Sequence, residues 1–566
     1  MSRGLIVGAG TGTGKTLAFY LPALLKTVKS VRLDDSPYPR ILAIYPRIEL
    51  LKDQATSALG QILKLNSQMK ADLPRTLSIG LLYGDTPYEA NPEKLRWPKR
   101  GSDYVCPYFR DPETGGELIW RYKDIKQGRE RLYNDRGRLV CDEHVVRLTR
   151  RSLRENPPDL FFSTTEMLNR SLADGSLRHL YGLGYGRPPE LVLLDEVHTY
   201  SGTHGAMVAY LLRRWRWLIR RKGRPHFTGL SATLAEAETF FAELTGLPYP
   251  SVTGIRADHP GWPQEIGGHE YLVAVRSDPF SGTSVLSTTI QTAMLLRRLL
   301  DPLNLSTSEG LFGQRVFIFT DDLDVTNRLY DDLADAEGLK RKGRSYVPDP
   351  RRDSLATLRS PLLECDEEAR WLDGQSWRFV DRIGYDLSLK QKIRLDRVSS
   401  QDTGLSQQAD VVVATASLEV GYDDEKCGAV IQHKAPYDPA GFKQRHGRAG
   451  RSRLMRPWTC VVLSDYGRDR IAYQNYEWLF DPELRPQFLL LGNRYVLKMQ
   501  ATFALIDWFA LRLLGDKKTN SSVWRALSGP TDSTRLKQVQ QAILREAEEL
   551  LKASIQGGEI LQNLMH

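Results

Sequence analysis

The chain has 566 residues, 41% apolar and 26% charged, ordinary for a soluble globular protein and long enough for about three domains with cores of their own. Five cysteines, at 106, 141, 365, 427 and 460, are too scattered for a disulfide framework and fit a reducing cytosol. The longest apolar stretch, 501–515, contains Asp507 and Arg512 and is too short and too charged to span a bilayer; no signal peptide is expected, and a net charge of +9 suits a polyanionic partner without establishing one.

The first apolar run, Leu5-Ile6-Val7, predicts a short strand that leads into Ala9-Gly10-Thr11-Gly12-Thr13-Gly14-Lys15-Thr16. Gly10, Gly12 and Gly14 let the backbone turn tightly and aim its N–H groups at phosphate oxygens, and a helix starting at Lys15 adds its positive end. In such a cradle Lys15 reaches the β- and γ-phosphates of ATP and Thr16 ligates Mg²⁺. The closing Gly-x-Gly-Lys-Thr fits the P-loop pattern, although Ala9 stands where its first glycine is usual.

Residues 1–270 alternate apolar strands with helical patterns, which predicts an α/β unit with a parallel sheet covered by helices. A basic insertion over about 91–155 holds 16 Lys/Arg against 11 Asp/Glu, interleaved with Trp97, Tyr104, Tyr108, Trp120, Tyr122 and Tyr133. That mixture suits a nucleic-acid surface or, equally, a small domain with an aromatic core. Within it Cys106, Cys141 and His144 look like a zinc ribbon with a ligand missing; three ligands where zinc prefers four make zinc unlikely.

Leu191 to Leu194 reads as a buried parallel strand, followed at once by Asp195-Glu196-Val197-His198. Ligands bind at the C-terminal ends of such strands, so Asp195 is placed to hold Mg²⁺ directly or through water, and Glu196 to orient and deprotonate an attacking water. His198 is expected to couple this site to a second lobe. Leu211 to Arg224, with six arginines and one lysine, reads as an amphipathic helix burying Leu211, Leu212, Trp215, Leu218 and Ile219; Arg213, Arg216 and Arg220 then form a solvated basic side, a DNA contact being the alternative.

A Pro- and Gly-rich bridge over 248–279 precedes a second unit at 280–465, interrupted by a polar stretch over about 338–408, and residues 466–566 read as a helical extension. Near the end of the second unit stands Gln444-Arg445-His446-Gly447-Arg448-Ala449-Gly450-Arg451.

Read together, these segments resemble superfamily 2 helicases of the DEAD/DEAH-box type, with a DEVH box. Tyr45-Pro46-Arg47 resembles motif Ia, Pro158 to Leu168 the motif Ib region, Leu230-Ser231-Ala232-Thr233-Leu234 motif III, Val316 to Thr320 motif IV, Val411 to Asp423 motif V and Gln444 to Arg451 motif VI. The resemblance implies tandem RecA-like lobes meeting over one nucleotide, and a nucleic-acid-dependent ATPase using ATP and Mg²⁺. It implies arginine fingers at Arg448 and Arg451, a γ-phosphate or water contact at Gln444, and a nucleotide side lined by Gly421 and Asp423. Ser231 and Thr233 would link hydrolysis to lobe movement, while Arg47, Thr165, Thr320 and Thr415 would touch strand phosphates.

Tyr83-Gly84-Asp85-Thr86-Pro87 and the stretch from Asp195 to Gly205 are similar to a narrower branch, the large bacterial and archaeal DNA helicases of repair and of phage-defence islands. DNA is therefore the expected partner, in a bacterial or archaeal cytoplasm and with no membrane. An RNA helicase, a duplex translocase and a partner-gated ATPase scaffold remain alternatives. Lys15 lies too near Met1 for the family's adenine-reading glutamine motif, so either the chain is shortened or another segment reads the base; a larger parent protein or a protein partner is plausible. Lys15→Ala is expected to abolish ATP turnover and weaken nucleotide binding, read by phosphate release and by a fluorescent ATP analogue.

Overall fold

In the computed structural model, the apolar runs become the strands of two parallel sheets. The structure describes residues 3–8, 15–231, 234–256, 268–277, 283–302, 308–343, 345–360, 368, 370, 376–378, 380, 392–398, 408–415, 424–452, 454–482, 486–515 and 521–556. The side chains of Lys15 and Thr16, and all of Ala9, Gly10, Thr11, Gly12, Thr13, Gly14, Thr233, Gly421 and Asp423, lie outside the described residues. The chain forms two compact units, one comprising Met1–Ala9, Thr13–His259 and Pro486–His566, the other Pro260–Arg485.

In the first unit the strands are β1 (Gly4–Gly8), β2 (Ile41–Tyr45), β3 (Ile79–Leu82), the insertion strands β4 (Lys99–Arg100), β5 (Asp103–Arg110), β6 (Glu117–Trp120), β7 (Leu132–Tyr133) and β8 (Leu139–Cys141), then β9 (Val146–Arg147), β10 (Leu160–Thr164), β11 (Leu191–Leu194), β12 (His226–Ser231) and β13 (Val252–Arg256). The main sheet has the order β13-β1-β12-β11-β2-β10-β3-β9, and every pairing in it is parallel. Ile41–Tyr45 and Leu191–Leu194 are buried along their whole length, because a sheet covered on both faces asks for continuous apolar runs rather than alternation.

Asp159, just ahead of β10, ties three strand starts together. Its carboxylate pairs with Arg40 Nη1 at 2.7 Å and Arg75 Nη1 at 2.7 Å, and it accepts from the Ser78 backbone N–H at 3.0 Å. Arg40 precedes β2 and Ser78 precedes β3, and both, like Asp159, are buried.

The insertion is a separate five-stranded antiparallel sheet, β4-β5-β6-β7-β8, resting on the helix Ile48–Gln68. Its aromatic residues divide. Trp97, Tyr104, Tyr108 and Trp120 are buried, with Trp97 4.9 Å from Tyr108 and 5.3 Å from Trp120 between ring centroids. Alternate residues of β5, Tyr104, Cys106 and Tyr108, face inward as the pleat requires. Of the two readings of this mixture, the aromatic core accounts for these four. Tyr122 and Tyr133 stay nearer solvent, under Lys126 and Arg121.

The helix Gly202–Ile219 buries Leu211, Leu212, Trp215 and Ile219 as its spacing predicts. Its cations are not simply solvated. Arg213 donates to Glu243 O at 2.6 Å, and Arg216 to Thr245 O at 2.8 Å and Gly246 O at 2.7 Å, so both satisfy the carbonyls that end the helix Ala237–Thr245. Arg220 alone of the three is fully exposed. Arg214 is buried and pairs with Asp507 at 2.9 Å.

Asp507 belongs to the helix Arg494–Leu514, which packs on Gly202–Ile219. Phe509, Ala510 and Leu514 of that helix join Val523, Ala526 and Ile543 of the helices Val523–Leu527 and Thr534–Gln556 in one apolar cluster. The segment read as one extension from 466 therefore serves both units. The helices Gly467–Gln474 and Tyr476–Phe480 belong to the second, where Asp469 accepts from the backbone of Ala435 at 2.9 Å and Ser464 at 3.0 Å; residues from 486 onward belong to the first.

The second unit holds β14 (Tyr271–Arg276), β15 (Arg315–Phe319), the hairpin β16 (Leu339–Lys342) and β17 (Ser345–Pro348), then β18 (Leu395–Val398), β19 (Val411–Ala414), β20 (Cys427–His433) and β21 (Trp458–Leu463). Its sheet runs β14-β21-β20-β15-β19-β18, again parallel throughout.

Burial pushes the Asp507 carboxyl up to about 6 even though Arg214 pulls it down. Removing one partner of a buried pair leaves an uncompensated charge, which costs about 3–5 kcal/mol. Arg214→Met is expected to destabilise the first unit by that order in urea unfolding, and Arg214→Met with Asp507→Leu to recover most of the loss.

Candidate functional site

Parallel pairing brings the C-terminal ends of β1, β12, β11, β2, β10 and β3 side by side along one edge of the first sheet. The phosphate-cradle sequence follows β1, Ser231 ends β12, Asp195 follows β11, Tyr45-Pro46-Arg47 closes β2, Thr164-Thr165 closes β10 and Tyr83-Gly84-Asp85 follows β3. In the register of the sheet, Leu194 lies between Gly229 of β12 and Ile44 of β2, so Asp195 emerges level with Leu230, one residue short of Ser231, on one side and Tyr45 on the other.

The turn after Asp195 is tightly specified. Glu196 adopts left-handed backbone angles, φ 46° and ψ 49°, a conformation that costs about 1–2 kcal/mol in a residue with a Cβ and that collects at functional sites. Its N–H donates to Asp195 Oδ1 at 2.8 Å, and its carbonyl accepts from Thr199 N at 2.9 Å and Thr199 Oγ1 at 2.7 Å. Val197 packs against Gly229, where an added Cβ would stand 3.0 Å from Val197 and 2.6 Å from Phe241; glycine in β12 is what admits the turn. His198 is buried, its Nδ1 3.4 Å from Glu196 Oε2 and 3.4 Å from Ser231 Oγ.

Glu196, His198 and Ser231, separated by up to 35 positions in sequence, thus share one contact group. Among the described residues Glu196 Oε2, buried and 3.4 Å from His198 Nδ1, makes no hydrogen bond, leaving an oxygen available to a water or a ligand. Beneath, the phenols of Tyr20 and Tyr45 hydrogen-bond to each other; burial, and secondarily the charge of Asp195, pushes both well above the ordinary tyrosine range. Two adjacent carboxylates offering hard oxygen atoms fit a magnesium–phosphate group. The side chains of Asp195, Glu196, His198 and Ser231 are the described part of that set.

The residues expected at strand phosphates are placed variously. Arg47 is half-buried at the start of the helix Ile48–Gln68, and Thr165 is half-buried at the first position of the helix Thr165–Ser171, whose cap is Thr164. Thr415 follows β19 with its N–H donating to Val398 O at 3.3 Å. Thr320 is buried: its hydroxyl donates to Asp322 O at 2.9 Å and pairs with Thr326, fastening the turn into the helix Leu323–Ala336 instead of facing outward.

In the second unit, the helix Pro439–His446 starts on Asp438, whose carboxylate accepts from Ala440 N at 3.1 Å and Gly441 N at 2.9 Å, with proline at the first helical position. Gln444 is buried on it, and Arg448, just beyond, is nearly so. Both Arg448 and Arg451 lie close enough to Cys427 to oppose, by their charge, the upward push that burial gives its thiol. Gly450 between them has φ 74°, and a Cβ there would stand 2.6 Å from Pro457.

Sequence reasoning missed Arg445, which is buried, donates to Gln432 Oε1 at 2.7 Å and pairs with Asp321 at 2.6 Å. Its only signal was helical spacing from Phe442, which shares the buried face. In the insertion, Cys106 and Cys141 are buried, with burial pushing the Cys106 thiol up to about 12 and Cys141 upward too, while His144 is exposed. Among the described residues no group of three or more His, Cys, Asp or Glu could hold a metal ion.

A DEAD/DEAH box helicase family model matches residues 1–105, and the helicase conserved C-terminal domain matches residues 365–453. Both matched segments are those of superfamily 2 helicases of the DEAD/DEAH-box type, the family this chain resembles. Among curated proteins, this chain is 26% identical over 295 residues to the Druantia protein DruE of Escherichia coli strain UMEA 4076-1, covering 43% of this chain and 16% of that one. It is 28% identical over 311 residues to the Lhr helicase/uracil glycosylase of Escherichia coli K12, covering 53% of this chain and 18% of that protein. The chain thus matches less than a fifth of the length of either relative.

Among solved structures, Mycobacterium smegmatis helicase Lhr bound to single-stranded DNA and AMP-PNP aligns over 94% of this chain and 55% of its own, at 19% identity and a TM-score of 0.51. The DUF1998 helicase MrfA bound to DNA and AMPPNP aligns over 89% and 52%, at 17% identity and a TM-score of 0.50. These likenesses carry the fold, tandem RecA-like units of α/β type. No helix among the described residues is long and apolar enough to cross a membrane.

Replacing Glu196 by glutamine keeps the shape and removes the carboxylate that the sequence reading expects to act as base. Glu196→Gln is expected to bind a fluorescent ATP analogue as the wild type does and to release no phosphate; substantial turnover in this variant would reject Glu196 as the base.

Proposed function

We propose that this helicase is a nucleic-acid-dependent ATPase that moves along or separates DNA. The observation that carries the proposal is the contact group of Glu196, His198 and Ser231 beside Asp195, on the strand edge where the phosphate-cradle sequence also ends its strand. Mg²⁺–ATP supplies the phosphoanhydride bond whose cleavage drives the cycle. Glu196 Oε2 takes the proton of the attacking water, and His198 Nδ1 stands 3.4 Å from that oxygen and 3.4 Å from Ser231 Oγ, linking the carboxylate to the end of β12. Lys15 binds phosphate, Thr16 and Asp195 present oxygen ligands, and Gly421 and Asp423 line the nucleotide. Gln444 contacts the γ-phosphate or the water, while Arg448 and Arg451 stabilise the charge that develops on the transferred group.

DNA is favoured over RNA because the solved relatives named above are bound to DNA and because the stretches Tyr83–Pro87 and Asp195–Gly205 resemble the DNA-acting repair and phage-defence branch. Arg47, Thr165 and Thr415 are the proposed phosphate contacts, and binding should weaken with salt as counterions are released. A bacterial or archaeal cytoplasm is part of the same proposal, drawn from the branch that the motifs resemble. A second reading, an ATPase that gates assembly with a protein partner in a repair or defence complex, draws support from the much greater length of the curated relatives.

Steady-state ATPase rates with no nucleic acid, single-stranded DNA, duplex DNA and single-stranded RNA test the proposal, with Glu196→Gln as control. Strong stimulation by DNA alone is expected; indifference to every nucleic acid would favour the gated assembly. Arg451→Ala is expected to lower turnover by about a thousandfold while leaving nucleotide affinity nearly unchanged, the size of an arginine-finger effect.

A further inference from the structure

The turn that carries Glu196 is held at its far end by a segment nearly three hundred residues away. After Glu196 come the 3₁₀ turn Val197–Thr199, the buried Tyr200 and then Gly202 in a left-handed conformation, φ 59°. Gly202 forms an isolated parallel bridge with Leu489: its N–H donates to Phe488 O at 3.1 Å, and its carbonyl accepts from Leu490 N at 3.4 Å. Phe488 and Leu490 turn their side chains outward, whereas Leu489 is buried in the same core cluster as Leu194, Val197 and Tyr200. Leu489 also fills the space over Gly205, where an added Cβ would come within 2.5 Å of Leu489 Cδ2 and collide with the Tyr200 carbonyl. The segment is itself anchored by Tyr210, whose hydroxyl donates to Leu491 O at 3.0 Å, and by Asn493, which caps the helix Arg494–Leu514.

We propose that residues 488–491 form a strap whose Leu489 is a positioning residue for Glu196. The proposal rests on the reading of Glu196 as the group that activates water. Five residues separate Glu196 from Gly202, most of them turn or buried, so a shift at Gly202 has little slack to absorb it before it reaches the carboxylate. Glu196 pays for its left-handed backbone angles with bonds at both ends of this short path, to Asp195 and Thr199 at one end and through the strap at the other. Among the described residues the strap's bonds across the chain go to Gly202 and Tyr210, on the Glu196 side of the site, so it is expected to govern where the carboxylate stands more than whether nucleotide binds.

The test compares Leu489→Ala, Leu489→Met and, as an equally buried control in the C-terminal helical cluster away from this turn, Ile543→Ala. Misplacement of a reacting group by about 1 Å can cost a hundredfold. Leu489→Ala is expected to lower kcat by about tenfold to a hundredfold with the Kd for AMP-PNP within twofold, and Leu489→Met to restore most of kcat. Amide exchange in the peptide 195–204 should quicken in Leu489→Ala and not in Ile543→Ala at a matched loss of Tm. Unchanged kcat with unchanged exchange, or equal losses in Leu489→Ala and Ile543→Ala, would overturn the strap. A wild type without turnover would instead overturn the reading of Glu196, and the exchange comparison would then decide the strap alone.

Discussion

The Asp159 carboxylate is the fixed point from which the motif edge is set. It is buried, and taking a carboxylate out of water is costly unless every lone pair is met. Here two guanidiniums, a backbone N–H and the Ser78 hydroxyl meet them. Because those donors sit at the heads of β2 and β3 while Asp159 sits at the head of β10, the three strands start level. Strands that start level and run parallel finish level, and their far ends carry the Arg47, Thr165 and Tyr83 segments. The geometry of the functional edge is therefore fixed at the opposite edge of the sheet.

What was legible in the sequence follows from how local each signal is. The apolar runs at 5–7 and 191–194 read as strands and are strands, since a fully covered sheet leaves no other use for them; the strands at 41–45, 315–319 and 411–414 were not singled out as such in the sequence. Asp195, Glu196, Gln444 and Arg448 could be singled out because the motifs they stand in run over only a few residues. Arg214, Arg445 and Leu489 were not, because each acquires its meaning from a partner that spacing does not encode: Asp507, Asp321 and Gly202. Thr320 stood at an expected position, yet its hydroxyl had a nearer use in capping its own turn.

Composition misleads in a particular way in this chain. Runs of arginine invite a reading as solvated or nucleic-acid-facing surface, but guanidinium groups carry five donors and readily finish the carbonyls of a neighbouring helix. Arg213 and Arg216 do this for the helix Ala237–Thr245, and Arg150 does it for the Tyr83–Thr86 loop, donating to Thr86 O at 2.9 Å and Gly84 O at 2.9 Å. The insertion repeats the lesson with aromatic residues: rings interleaved with cations became a core because the pleat of β5 sent alternate residues inward.

The return of residues 486–556 to the first unit has a consequence for synthesis. The first unit is discontinuous: its sheet is complete by residue 256, but the partner of Arg214 and the cover of the helix Gly202–Ile219 are translated only after the whole second unit. At ordinary elongation rates this delay is roughly 15–60 s. Throughout it a nascent chain carries an unpaired guanidinium and an uncovered apolar face on its first unit, while the second unit emerges and can close around its own sheet. The ribosome therefore delivers the inner unit first and the completed outer one last, and the exposed face between those events is a natural target for a chaperone.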